Sequence, residues 1–171
     1  LYEYGFFILL SNLIFFALTC LTGALVGAFL QSVLFFIAFQ FIRRYAGGYH
    51  ASTELRCQFF STVSIVVSIL SIKLFQQYEQ FLWWTVLMAL GTAVIAFFSP
   101  LDTPAKPLSC NERKVYKKKT ILILLVSDIA FIISVVLQWD FFYLPIAIAI
   151  GLETILLTLG KIQQCVKSKR A

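Results

Sequence analysis

Histidine is almost missing from these 171 residues: His50 is the only one. One His and a nearby Cys offer too few donors for a metal centre, and no second ligand cluster follows, so neither a metal nor another cofactor is expected. Charge is scarce too, at 13% of residues, and unevenly placed. A nucleic-acid surface needs a basic stripe or a recognisable module. Neither is present, and the basic residues stand beside apolar runs, so the net charge of +6 reads as a topology signal and no nucleic-acid partner is expected. Internal repeats and low-complexity segments are lacking. No basic n-region or small-residue cleavage site precedes the first apolar run. Leu1 already belongs to that run, and further chain is expected ahead of it.

What the sequence has in abundance is apolar surface. At 60% hydrophobic residues and a mean hydropathy of +0.89 it lies outside the range of soluble domains. Six apolar runs, at about 5–23, 25–42, 57–75, 80–98, 120–138 and 141–160, each approach the ~17–25 residues a helix needs to cross a bilayer. They are continuous rather than alternating, which indicates helices and not a barrel. The fold class expected is all-α: one polytopic membrane domain over residues 1–171, a bundle of six transmembrane helices. Only Thr22, Gly23 and their neighbours separate the first two runs, which makes a tight helical hairpin.

Every Lys and Arg except Lys73 falls on one side of such a bundle, in the stretch 43–56, the loop 99–119 or the tail 161–171. Positive residues mark the cytoplasmic face, so both termini are expected there. Cys57, Cys110 and Cys165 then face a reducing compartment, and disulfides are not expected. Pro100, Pro104 and Pro107 hold the first half of the long loop extended. Its second half is densely basic, and with Lys106, Lys117, Lys118 and Lys119 it serves either as a lipid anchor or as a docking surface for an acidic peptide. Two acids sit inside spans, Asp128 and Glu153, and neither should face lipid. Asp128 lies near the basic end, where it can pair with Arg43 or Arg44, orient His50, or simply join two helices. No chemistry is assigned to Glu153.

The stretch 43–57 between the second and third runs concentrates the polar chemistry: Arg43, Arg44, Gly47-Gly48, His50, Glu54, Arg56 and Cys57. On one straight helix His50 and Cys57 would share a face but stand about 10.5 Å apart along the axis, too far for proton transfer. A turn at Gly47-Gly48 and a helix starting near Ser52 or Thr53 remove that obstacle. Cys57 would then sit in the first turns, where the helix dipole, Arg56 and a protonated His50 all favour the attacking thiolate. Cys57 as nucleophile with His50 as base is one reading, with Asp128, Glu54 or a backbone carbonyl as the orienting third group. The other makes His50 a hydrogen-bonding packing residue and Cys57 a small hydrophobe.

Arg43, Gly47-Gly48, His50-Ala51 and Cys57 in this topological place resemble the accessory gene regulator protein B (AgrB) family. The run Ser99-Pro100-Leu101-Asp102-Thr103-Pro104-Ala105-Lys106-Pro107-Leu108, followed by Glu112-Arg113-Lys114, is similar to that family's proline-and-lysine loop, and Tyr2-Glu3-Tyr4-Gly5 to its entry into the first span. The resemblance implies an integral-membrane cysteine endopeptidase of Gram-positive quorum sensing. Such a protein would cut the C-terminal part from a small AgrD-type propeptide and close the rest into a thiolactone or lactone. It implies Cys57 as nucleophile and His50 as base, Arg43 and Gly48 in supporting positions, the propeptide and the bilayer as partners, and a homodimer. The rival reading is a small peptide exporter without proteolytic activity. An exporter would line several spans with polar groups, whereas Gln31, Ser64 and Ser68 are few and suit helix packing.

Overall fold

A computed structural model describes residues 2–49, 53–77, 81–101 and 108–168. Six helices account for most of them: α1 Tyr2–Val26, α2 Phe29–Ala46, α3 Glu54–Phe75, α4 Phe81–Phe98, α5 Cys110–Val136 and α6 Asp140–Ser168. No strand occurs among the described residues.

Five helices are long and apolar enough to cross a membrane: α1 and α3 to α6. The second completes the expected bundle of six helices but is less apolar over its 18 residues. It is interrupted by Gln31, Ser32, Gln40, Arg43 and Arg44, and it buries Gln31 and Ser32 together with Phe35, Phe36 and Ile42. The outside of the bundle is apolar, with Leu9, Leu13, Trp83, Leu90 and Ile132 all exposed. Thr19, Gln31, Ser68, Thr120, Ser134 and Glu153 are buried within. Apolar groups facing out and polar groups facing in suit lipid rather than water, since only protein partners can satisfy polar groups there.

The central post is α6. Half of its apolar stretch is buried, against 11–22% for the other four spans, and it packs on α2, α3, α4 and α5. Small residues set the approach of α4 to α6 at two points. A Cβ on Gly91 of α4 would stand 2.6 Å from Ile150 Cγ2, and one on Gly151 3.2 Å from Leu87 Cδ2.

The α1–α2 hairpin turns at Gly27, which ends α1 in the left-handed region (φ 72°). The Ala28 amide donates to Gly23 O at 2.8 Å and Gly27 to Ala24 O at 3.2 Å, the paired bonds of a Schellman ending. Helix α5 starts at Cys110, about ten residues before the apolar run expected at 120, so the basic residues 113–119 are helical rather than loop. Ser109 caps it: its Oγ accepts from the Glu112 amide while Glu112 Oε2 accepts from the Ser109 amide at 2.9 Å. Likewise α6 continues to Ser168, beyond the expected end near 160.

Candidate functional site

Two cavities open at the end of the bundle where α2, α4 and α6 finish and α3 and α5 begin. The smaller, about 210 Å³, lies between α1, α2, α3 and α6 and holds Cys57. The backbone turns into α3 at Thr53, which makes no side-chain cap bond. Cys57, fourth residue of the helix, gives its amide to Thr53 O at 3.0 Å. Its thiol is free and half-buried. Asn12, Gln40, Arg43, Tyr49 and Ser61 supply the polar wall, and Phe15, Phe36, Phe39 and Phe60 the apolar one.

Arg43 and the two glycines form one device. The second helix ends at Ala46, and Gly47 (φ 79°) reverses the chain. A Cβ on Gly47 would stand 2.6 Å from Leu101 O, and Leu101 in turn gives its amide to Ala46 O at 2.9 Å. Gly48 lies flat against the Arg43 guanidinium, where any Cβ would collide with Nη1. Arg43 Nη2 donates to the Tyr49 carbonyl at 2.7 Å. The Tyr49 amide donates to Leu156 O on α6 at 2.9 Å. Tyr49 is therefore held through both its backbone groups, and its ring meets Phe60 of α3 edge-on. His50, the expected base, lies outside the described residues. Its chain neighbour Tyr49 lines the cavity that holds Cys57.

The acid that reaches Arg43 is Glu153 and not Asp128. Arg43 Nη1 stands 3.7 Å from Glu153 Oε2, and Glu153 is 0% exposed. Asp128 Oδ1 instead accepts from Thr92 Oγ1 of α4 at 2.8 Å, joining α5 to α4. The sequence favoured Asp128, which lies nearer the basic end, and assigned Glu153 no chemistry. The signal that separates them is that an acid on the most enclosed helix must find a cation, and Arg43 is the basic residue of α2 that points inward while Arg44 is exposed.

The larger cavity, about 830 Å³, opens between the end of α4, residues 99–101, the start of α5 and the end of α6. Its wall carries Arg113, Lys114, Lys117, Lys118 and Lys161 above Phe97, Phe98, Pro100 and Leu101. The three consecutive lysines have different surroundings. Lys117 caps α4 by donating to Ala96 O and to Ser99 O, the latter at 2.8 Å. Lys119 lies over the Tyr45 ring, 5.1 Å from its centroid. Only Lys118 of the triplet is exposed on the cavity wall without such an internal contact among those described. Lys106 lies outside the described residues. Lys161, which the sequence reading left in the tail, joins the wall from α6.

Comparison with known proteins gives a coherent picture. A family described as accessory gene regulator B matches residues 1–157. An AgrB-like protein of Listeria monocytogenes is 31% identical over 138 residues, covering 77% of this chain and 64% of that protein. One of Clostridium perfringens is 25% identical over 144 residues, covering 81% and 67%. Protein FsrB of Enterococcus faecalis is 23% identical over 120 residues, covering 70% and 50%. The chain thus spans somewhat less than two thirds of its Listeria relatives' length. No solved structure matches.

Proposed function

The chain belongs to the accessory gene regulator B family, and on that footing we propose that it is an integral-membrane cysteine endopeptidase of a quorum-sensing system. Its substrate would be a small AgrD-type propeptide, cut near its C-terminal part and closed into a thiolactone or lactone. The observation that carries this reading is the cavity that brings Cys57 of α3 together with Arg43 and with Tyr49, the residue before His50.

In the reaction the Cys57 thiolate attacks a peptide carbonyl of the propeptide. The tetrahedral intermediate collapses as His50 gives a proton to the departing amine, leaving a thioester between Cys57 and the N-terminal part of the substrate. A thiol on that same part, its proton taken by the now neutral His50, attacks the thioester next, closing the thiolactone ring and returning the Cys57 thiolate beside a protonated His50. Thioester exchange is nearly balanced, so closure succeeds if water is kept out. The cavity's four phenylalanines serve that purpose. Making a thioester from an amide is uphill, so net conversion requires removal of the released fragment or of the ring. The larger cavity, basic on its rim and apolar on its floor, suits the acidic C-terminal part of an amphipathic propeptide. Both cavities would face the cytoplasm, where the thiols stay reduced.

Incubation of synthetic propeptide with wild type, Cys57→Ala and His50→Ala in liposomes tests this. Wild type is expected to accumulate a hydroxylamine-sensitive adduct on Cys57 and to release the C-terminal fragment, and both variants to do neither. Cleavage that survives Cys57→Ala overturns the peptidase reading.

A further inference from the structure

Glu153 is buried among Ala149, Ile150 and Leu157, all fully enclosed. Neither carboxylate oxygen accepts a hydrogen bond among the described residues. Asp128 has Thr92, and the buried hydroxyls of Thr19, Ser32 and Ser134 bond their own helices. Glu153 instead has a single distant cation, Arg43 Nη1 at 3.7 Å. A lone buried carboxylate is costly in an apolar bundle and adds nothing that a leucine would not supply more cheaply. The one polar group within its reach is therefore where a task for this acid is to be sought.

The geometry defines that task. Arg43 divides its guanidinium, with Nη1 turned to Glu153 and Nη2 given to the Tyr49 carbonyl. A fork held at one nitrogen has little freedom at the other, because the guanidinium is planar and rigid. Gly48 leaves open the space that this orientation requires. The Tyr49 carbonyl belongs to the peptide plane that leads into residue 50, and a planar peptide transmits its orientation to the next residue.

We propose that Glu153 is a positioning residue: through Arg43 it fixes the Tyr49 carbonyl, and with it the wall of the Cys57 cavity from which the chain enters His50. The proposal rests on the cysteine peptidase reading for its effect on turnover, but not for the anchor itself.

Two measurements on the full chain in liposomes separate these parts. Hydrogen–deuterium exchange reads the Tyr49 amide, which Leu156 O holds in the wild type. Propeptide turnover reads the consequence. Glu153→Gln keeps the shape and removes the acid. It is expected to speed exchange at Tyr49 about ten-fold or more, and to lower kcat about ten-fold with KM within two-fold. In an Arg43→Lys background, which already lacks the fork, Glu153→Gln is expected to change neither quantity further. That non-additivity is the signature of action through Arg43. Unchanged Tyr49 exchange in Glu153→Gln overturns the anchor, and faster exchange with unchanged kcat overturns the positioning role. Independent, multiplying effects in the double variant overturn the route through Arg43. If Glu153→Gln does not fold, Glu153→Asp keeps the acid and shortens the reach. It should then show the same exchange and kcat changes in smaller measure, and wild-type values in both would overturn the proposal. Failure of the peptidase reading appears separately, as cleavage that persists in Cys57→Ala.

Discussion

Gly160 has no side chain, and three atoms occupy the place where one would be: Leu101 Cδ2 at 2.6 Å, the Gly48 carbonyl carbon at 2.9 Å and the Tyr49 amide nitrogen at 2.9 Å from an ideal Cβ. Two of the three belong to backbone, which cannot swing away as a side chain can. Gly160→Ala is therefore expected to lift residues 48–49 off α6 and break the bond from Tyr49 to Leu156 O. Overpacking of this kind costs about 1–3 kcal/mol, and the displacement should lower turnover of the propeptide at least ten-fold. Gly151→Ala is the control. Its Cβ would meet only the side chain of Leu87, nearest at 3.2 Å, and turnover should fall less than two-fold. Equal losses in the two variants would mean that the seat at Gly160 has no special role. The two acids make a different point at the same scale. Asp128 and Glu153 look alike in sequence because an apolar run reveals depth along a helix but not the direction a residue faces. Only the packing of α6 against α2 turns Glu153 to Arg43, and only the neighbourhood of α4 turns Asp128 to Thr92.

Among the elements, α5 is the one whose beginning hydropathy misjudged. Its first turns are charged, and an apolarity scale reads membrane depth rather than helicity. The signal was nonetheless present in Ser109-Cys110-Asn111-Glu112, the spacing of a capping box. Starting the helix at Cys110 also separates three lysines that look equivalent in a loop. Successive residues on a helix point about 100° apart, so Lys117, Lys118 and Lys119 face α4's final carbonyls, the basic cavity and Tyr45. Lys117→Gln is thus expected to remove the cap of α4 and destabilise the bundle by about 1–2 kcal/mol, seen as a lower thermal midpoint in detergent. Lys118→Gln should leave that midpoint alone and weaken propeptide binding about two- to five-fold at low salt, the effect fading as salt rises. The reverse assignment would show that α5 presents a different face to the cavity. By contrast, the existence of all six helices was legible throughout, because their apolar runs are long and their breaks carry Gly, Pro or charge. The stretch around Cys57 stood out because scarce residue types crowd into it.

At the scale of the whole molecule, one end carries nearly all the charge. Arg43, Arg44, Arg56 and the basic turns of α5 gather there, with Lys73 at the other. If that end faces the cytoplasm, Cys110 and Cys165, both exposed, should resist a membrane-impermeant maleimide in intact cells and react in inverted vesicles. Labelling of either in intact cells would reverse the orientation. The sequence could suggest this polarity because charge placement is a property of the chain order alone. It could not show that α2 buries Gln31 and Ser32, which depends on how α1, α3, α5 and α6 pack around it.

The seat at Gly160 has a mechanical consequence. The segment leading to residue 50 is fastened to α6, the central post, whereas Cys57 rides on α3, which has only 22% of its apolar stretch buried. The proposed nucleophile and the chain leading to residue 50 are thus carried by different helices, with their joint at the cavity. Tilting of α3 against α6 changes the gap, and helices tilt when bilayer thickness departs from their apolar length. Turnover should therefore pass through an optimum as lipid acyl chains are lengthened from 14 to about 22 carbons. Cross-linking α3 to α6 by a cysteine pair placed away from the cavity should flatten that curve, and a wild-type rate indifferent to chain length would show that the joint does not move. On this view the membrane would act as a caliper on the proposed enzyme, its thickness setting the gap between Cys57 and the wall at Tyr49.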